Sequence, residues 1–349
     1  MIDFIRAELE LLSVHYVGNK GLGEELTLSD KTVKIGDDFL KTTVMNYFTS
    51  PFKEDLYYQF KGKNDMHFHD IRSYCEDLFK DKSLFIENSR HIAEHLYNQS
   101  MHPKIKSGEL TVAYFRDALV DNVVCDAIGI FKSENKQTFL KINQVDDVFE
   151  FEPENGINIK KLDKGVLIFN VKQEEGYKVS VIDTNNKVSD AAFYWTEDFL
   201  NLKIVENSYY HTQNLMQTYK GFCEEILTEE NNVKKEQQMV MQNRSIDFLQ
   251  ANEKFNLAEF EKEVLGQEEL IEAFDDYLKA YDDKMDTKTP EEFEISQNAV
   301  KKNSKIMKST IKLDKNFVIN VNASNDLMEK GYDEERGMKF VKIYYINEA

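Results

Sequence analysis

The sharpest chemical pattern in this chain is His91-Ile-Ala-Glu94-His95. On a helix, histidines at i and i+4 share one face and would hold a zinc ion, while the glutamate beside them would activate a water. A third ligand is needed, and Glu174 or Glu175 lies downstream. A pattern with so few fixed positions arises easily by chance in an acidic helical protein, so a solvated helix face is the simpler account. Met66-His67-Phe68-His69-Asp70 offers two imidazoles at strand spacing and a carboxylate, and a helix entry with exposed histidines explains it more simply. The glycines of Gly18-Asn-Lys-Gly21-Leu-Gly23 spell neither G-x-G-x-x-G nor a phosphate loop, and their position between two strand-like runs predicts a hairpin turn. No G-x-S-x-G elbow marks a nucleophile. The expectation is a protein without catalytic activity and without a cofactor or resident metal.

Lysines carry the other candidate chemistry. Residues 301–315 contain Lys301, Lys302, Lys305, Lys308, Lys312 and Lys315 against the single acid Asp314, a balance of +5 in a chain whose formal net charge is −19. If 297–308 is helical, Lys301, Lys305 and Lys308 lie near one face and would track a phosphate backbone. The competing roles are an ordinary solvated surface or a partner for segment 253–294, which holds 15 acids against 5 bases. A second cluster, Lys104, Lys106, Lys132, Lys136 and Lys141, comes from strand ends and turns. The overall acidity opposes DNA binding, because affinity for nucleic acid rests on phosphate neutralisation by Lys and Arg. Either the charge is segregated, or the partner is another protein.

Leu9–Val17 alternates as a strand, and 24–28 follows the glycine turn, predicting an opening hairpin. Asp37 and Asp38 start a helix that stops near Ser50, before Pro51. Leu56–Phe60 is a short strand, and helical spacing covers 66–80 and 83–100. From Gly108 to Asp183, five short runs (109–117, 123–132, 138–143, 165–171 and 177–183) read as an antiparallel meander, since their connections are too short for parallel crossovers. Helices on one side of this sheet give an α+β architecture. Helical spacing returns over 209–285, and Phe293–Ile295, Thr310–Val321 and Met338–Ile346 read as strands.

The length of 349 residues predicts two domains. They are an α+β core over 1–207 and, over 208–349, an acidic helical segment with a small terminal antiparallel sheet. The three cysteines, Cys75, Cys125 and Cys223, are too few and too widely spaced for a disulfide framework, which fits a reducing cytosol. The opening MIDFIRAELELL carries acids within its apolar run and lacks a cleavage site, so secretion is not expected. No apolar run approaches the ~20 residues of a membrane span.

Residues 96–134, LYNQSMHPKIKSGELTVAYFRDALVDNVVCDAIGIFKSE, resemble the start of the conserved core of a bacterial nucleoid-associated protein family typified by NdpA and YejK. LKTTVMNYFTSPF (40–52) is similar to that family's early helix with its Pro-Phe corner, and 83–101 to its next helix. DAIGIFKSE (126–134), KLDKGVLIFN (161–170), EGYKVSVIDTNN (175–186) and AAFYW (191–195) resemble its sheet. KIMKSTIKLDKNFVINV (305–321) and DEERGMKFVKIYYINE (333–348) resemble its C-terminal hairpin region, in versions found in Bacteroidetes-type bacteria. The resemblance implies a cytoplasmic protein at the nucleoid, with DNA as direct or indirect ligand, other nucleoid proteins as partners, homo-oligomers left open, and no enzymatic or membrane role. It supplies no set of DNA-contacting residues, so the lysines above are read from charge alone.

Overall fold

Gly108–Val120, Val123–Ser133 and Lys164–Phe169 carry buried apolar side chains at both odd and even positions. Successive strand residues point to opposite faces, so such runs require a sheet covered on both sides. The computed structural model builds that sheet; it describes residues 2–53, 56–62, 71–184, 194–228, 231, 233, 235–304, 309–314, 316–321 and 328–346. The chain divides into two compact units, Met1–Val205 and Glu206–Ala349.

The first unit runs β1 (Ile2–Asp3), β2 (Glu8–Val17), β3 (Leu26–Thr27), α1 (Asp38–Thr49), β4 (Tyr58–Phe60), α2 (Ile71–Lys80), α3 (Phe85–Gln99), β5 (Gly108–Val120), β6 (Val123–Ser133), β7 (Lys136–Val145), β8 (Val148–Ile157), β9 (Lys164–Phe169), β10 (Lys178–Asp183) and β11 (Leu202–Ile204). Nine of the described strands form one antiparallel sheet in the order β11, β4, β10, β9, β6, β5, β2, β3, with β1 pairing the far end of β5. The predicted opening hairpin shrinks to two residue pairs between β2 and β3, because β2 spends its length on β5. Asp121 and Asn122, both in the left-handed region (φ 46° and 65°), make the tight turn from β5 to β6.

Helices cover both faces of this sheet, which corrects the one-sided expectation. Leu110, Val112, Tyr114, Ile128, Ile130, Val166 and Ile168 pack with Ile71, Cys75 and Leu78 of α2 and Ile92 and Leu96 of α3. The residues between them, Ala113, Phe115, Phe131, Leu167 and Phe169, form the opposite core with Tyr47 and Phe48 of α1. Phe131 stacks on Phe48 with ring centroids 4.2 Å apart. Gly129 makes room for that ring, since a Cβ there would lie 2.4 Å from Phe131 Cζ.

The expected meander is also corrected at its third run. Residues 138–143 do not join the sheet, which passes directly from β6 to β9. They lie in β7, which pairs along its whole length with β8, a strand that the sequence pattern does not predict, to form a separate two-stranded arm. Acids at alternate positions and Pro153 mask β8, since both are depleted in strands. In AAFYW, Tyr194 and Trp195 begin a π-helical turn, Tyr194–Phe199, rather than sheet, while 191–193 lie outside the described residues.

The second unit runs α4 (Ser208–Glu225), α5 (Lys235–Ala251), β12 (Lys254–Asn256), α6 (Leu257–Phe260), α7 (Glu268–Met285), β13 (Glu292–Glu294), α8 (Gln297–Asn303), β14 (Ser309–Leu313), β15 (Phe317–Val321), β16 (Met328–Asp333) and β17 (Met338–Ile343). Its core is aromatic. Tyr219, Phe222, Phe248, Phe255, Phe260 and Phe274 bury one another, largely edge to face. Its described strands form three separate antiparallel pairs, β12 with β13, β14 with β15 and β16 with β17, rather than one small sheet.

Candidate functional site

Lys301 and Lys302 sit in the last turn of α8, where positive charge complements the helix dipole. Ser296 caps the helix start by accepting from Ala299 N–H, and Ala299, Val300 and Asn303 turn the inner face into the core. Both lysines therefore emerge on the exposed side. The helix ends at Asn303, short of the 297–308 expectation, and Lys305, Lys308 and Lys315 lie outside the described residues. Lys312 belongs to β14, opposite Val318 of β15.

The second cluster is largely committed to other groups. Lys132 is fully buried; its Nζ donates to the Lys106 carbonyl at 2.6 Å, pairs with Glu134 at 3.3 Å and meets the Tyr194 hydroxyl at 3.4 Å. Burial lowers the pKa of this ammonium, and the Glu134 charge opposes that shift. Lys136 pairs with Glu109 at 2.5 Å, Lys141 with Glu154 at 3.0 Å, and Lys106 Nζ donates to Asn135 at 2.7 Å. Lys104 is exposed in the preceding loop. As a group these lysines do not form an open phosphate track, because Lys132, Lys136 and Lys141 pair with carboxylates: Glu134 two residues along, Glu109 on β5 and Glu154 across the arm on β8.

They contribute instead to a buried polar network that residue patterns did not reveal. Tyr194 donates to Glu134 at 3.2 Å, and burial with the Glu134 charge pushes the phenol well above its usual pKa. Lys164 pairs with Asp183 at 2.7 Å and lies over the Tyr194 ring. The Asp163 carboxylate accepts from the backbone of Glu134 and Asn135 and from the Asn135 amide, fixing the loop from which the β7–β8 arm departs. The charges offset one another away from water. The network therefore anchors the arm, and no single residue type along the sequence announced it.

The histidine motif is dispersed into packing roles. On α3, the His91 ring lies 5.4 Å from that of Tyr74, and His95 Nε2 donates to the Phe199 carbonyl at 3.1 Å. Glu174 and Glu175 occupy an exposed 3-10 turn, with Glu175 paired to Lys172. Among the described residues no three His, Cys, Asp or Glu side chains converge as a metal-ligand set. His67, His69 and Asp70 lie outside the described residues. Gly18, Gly21 and Gly23 form the predicted turn, where Gly21 N–H donates to the Ser100 carbonyl and Gly23 is left-handed (φ 74°). Among the described residues no helix is long and apolar enough to cross a membrane.

No curated protein matches the chain. A family model described as nucleoid-associated protein YejK matches residues 13–339, from within β2 into β17 and so through both units. The sheet core over 96–134, with its change from α3 into β5 and β6, lies inside that match, and the chain belongs to the family of nucleoid-associated protein YejK.

Proposed function

We propose that this protein acts at the bacterial nucleoid, in the cytoplasm, as a non-catalytic protein that contacts DNA directly and without sequence preference. The observation that carries the reading is the family match across residues 13–339. With a net charge of −19, contact with phosphates requires segregated cations. The lysine-rich run of Lys301, Lys302, Lys305, Lys308 and Lys312 supplies them, with Lys104 and Lys106 in a lesser role. A titration of duplex DNA across salt on the intact chain tests this. Affinity falls steeply with salt, and replacing Lys301 and Lys302 with Glu flattens the log–log slope by about 2, roughly one for each phosphate that is no longer neutralised. Salt-independent binding, or none at low salt, sinks the proposal.

The second reading is recruitment through a DNA-bound protein, favoured by the overall acidity and by the pairing of Lys132, Lys136 and Lys141 with carboxylates. Pull-down from nuclease-treated lysate separates the two. A partner retained without DNA supports recruitment, and loss of every partner counts against it.

A further inference from the structure

Cross-strand neighbours in an antiparallel pair share a face, and the faces alternate along each strand. On one face of the arm, Leu140 lies opposite Pro153, Ile142 opposite Phe151 and Gln144 opposite Phe149. On the other, Lys141 lies opposite Glu152 and Asn143 opposite Glu150. That second face is polar along its middle, where Lys141 pairs with Glu154 and Asn143 donates to Glu152 at 2.7 Å, with Phe139 (46% exposed) at one end and Val145 and Val148 (48% and 62%) at the other. The first is bare, with Leu140 67%, Ile142 58%, Phe149 68% and Phe151 69% exposed. A two-stranded ribbon is marginal by itself, so an arm about 33 Å long with an uncovered apolar face is poorly supported as it stands.

We infer that this face packs against the same face of a second copy of the chain, making the arm a dimerisation element. The four exposed side chains present ~450 Å² of apolar surface, in the range of the largest patch on an ordinary monomer. Two such faces covering each other remove ~900 Å², and the exposed Gln144 and Pro153 of the same face bring the contact to the ~1,000 Å² a specific interface needs. The pattern is self-complementary. With the arms antiparallel about a two-fold axis at Ile142 and Phe151, Leu140 and Pro153 of one copy meet Gln144 and Phe149 of the other. The acidic faces then point away from each other, so like charges do not meet. Charge also argues against DNA as the occupant: Lys136 and Lys141 stand against Asp146, Asp147, Glu150, Glu152 and Glu154, a balance of −3. The inference does not depend on direct DNA contact.

Sedimentation velocity of the full chain across concentration is the test, with two variants that change charge on opposite faces. The native chain sediments as twice its 40.9 kDa mass at micromolar concentration. Phe151→Asp, on the bare face, weakens association at least a hundredfold with an unchanged circular dichroism spectrum. Asn143→Asp, in the polar middle of the other face, leaves association within about threefold of the native value. A native chain that stays monomeric, a Phe151→Asp variant that still dimerises, or equal loss in both variants overturns the inference. An arm captured only by a different protein while the chain remains monomeric overturns it as well.

Discussion

The strands β6 and β7 are neighbours in sequence and opposites in circumstance. β6 ends in Ile128, Ile130 and Phe131, all fully buried between helices, whereas β7 begins three residues after Ser133 and exposes Phe139, Leu140 and Ile142. Both carry strand-forming residues, and both pair with an antiparallel neighbour, β7 residue for residue and β6 with one irregularity. The difference lies in what surrounds them. β9 returns to β6 and continues the sheet, while β8 folds back on β7 alone. Strand-forming sequence thus yields a core strand in one place and an exposed ribbon in the next, with the Lys132, Glu134, Asp163 and Tyr194 network marking the boundary.

Matched substitutions on the two sides of that boundary sharpen the contrast. The largest effect is expected from Phe131→Ala, which opens a cavity between Phe48, Phe52 and Phe115 and costs about 3–5 kcal/mol in urea unfolding. At the boundary itself, Lys132→Ala removes the cation beside the buried Glu134 carboxylate and costs about 3–4 kcal/mol, while Lys141→Ala, which breaks an exposed pair on the arm, costs under about 0.5 kcal/mol.

Protonation probes the same covered sheet. Burial lowers the His15 pKa from 6.5 to about 4; its Nδ1 accepts from Ser29 N–H and Nε2 donates to Ser89. The unfolded chain binds that proton more readily, so stability is retained above pH 6.5 and falls as pH drops toward 4, by on the order of 3 kcal/mol. An NMR titration in which the His15 ring protonates near 6.5 would refute this. The second unit responds with the opposite sign. Burial and the neighbouring Asp275 raise Glu261 from 4.5 to about 7, so its neutral form is favoured by folding and the associated stability is lost as pH rises through 7. Glu261→Gln is expected to raise unfolding stability at pH 8 by on the order of 1 kcal/mol, after allowance for solvent screening, with little change at pH 4.5. The smallest effect belongs to the arm. Phe151→Ala changes the stability of dilute, monomeric protein by less than about 0.5 kcal/mol, and a cost comparable with Phe131→Ala would dissolve the distinction between core strand and arm.

Local signals served well where one residue type decides the backbone. Asp37 caps α1 by accepting from Leu40 N–H, and the helix runs to Thr49, just before Pro51, as its sequence predicts. The Val-, Ile-, Phe- and Tyr-rich runs of β5, β6, β9 and β10 were equally legible, as was the α+β class. The lysine clusters were legible only as composition. Lys301 and Lys302 emerge on an exposed helix turn, but Lys132 is buried against a glutamate two residues away, and charge counting cannot separate those outcomes. The arm was half seen, as a strand at 138–143 assigned to the wrong sheet.

By itself, then, the sequence determined the family, the order of most helices and strands, and the acidity that any account of DNA contact must accommodate. These follow from residue identity and short-range periodicity, which need no knowledge of distant neighbours. Only the tertiary structure decided that helices cover both faces of the sheet, that Lys106, Lys132, Tyr194 and Glu134 meet, and that β7 and β8 stand apart with one face uncovered. Burial and ion pairing depend on which segments meet across the fold, and a strand's alternation says that a face is apolar without saying what will cover it.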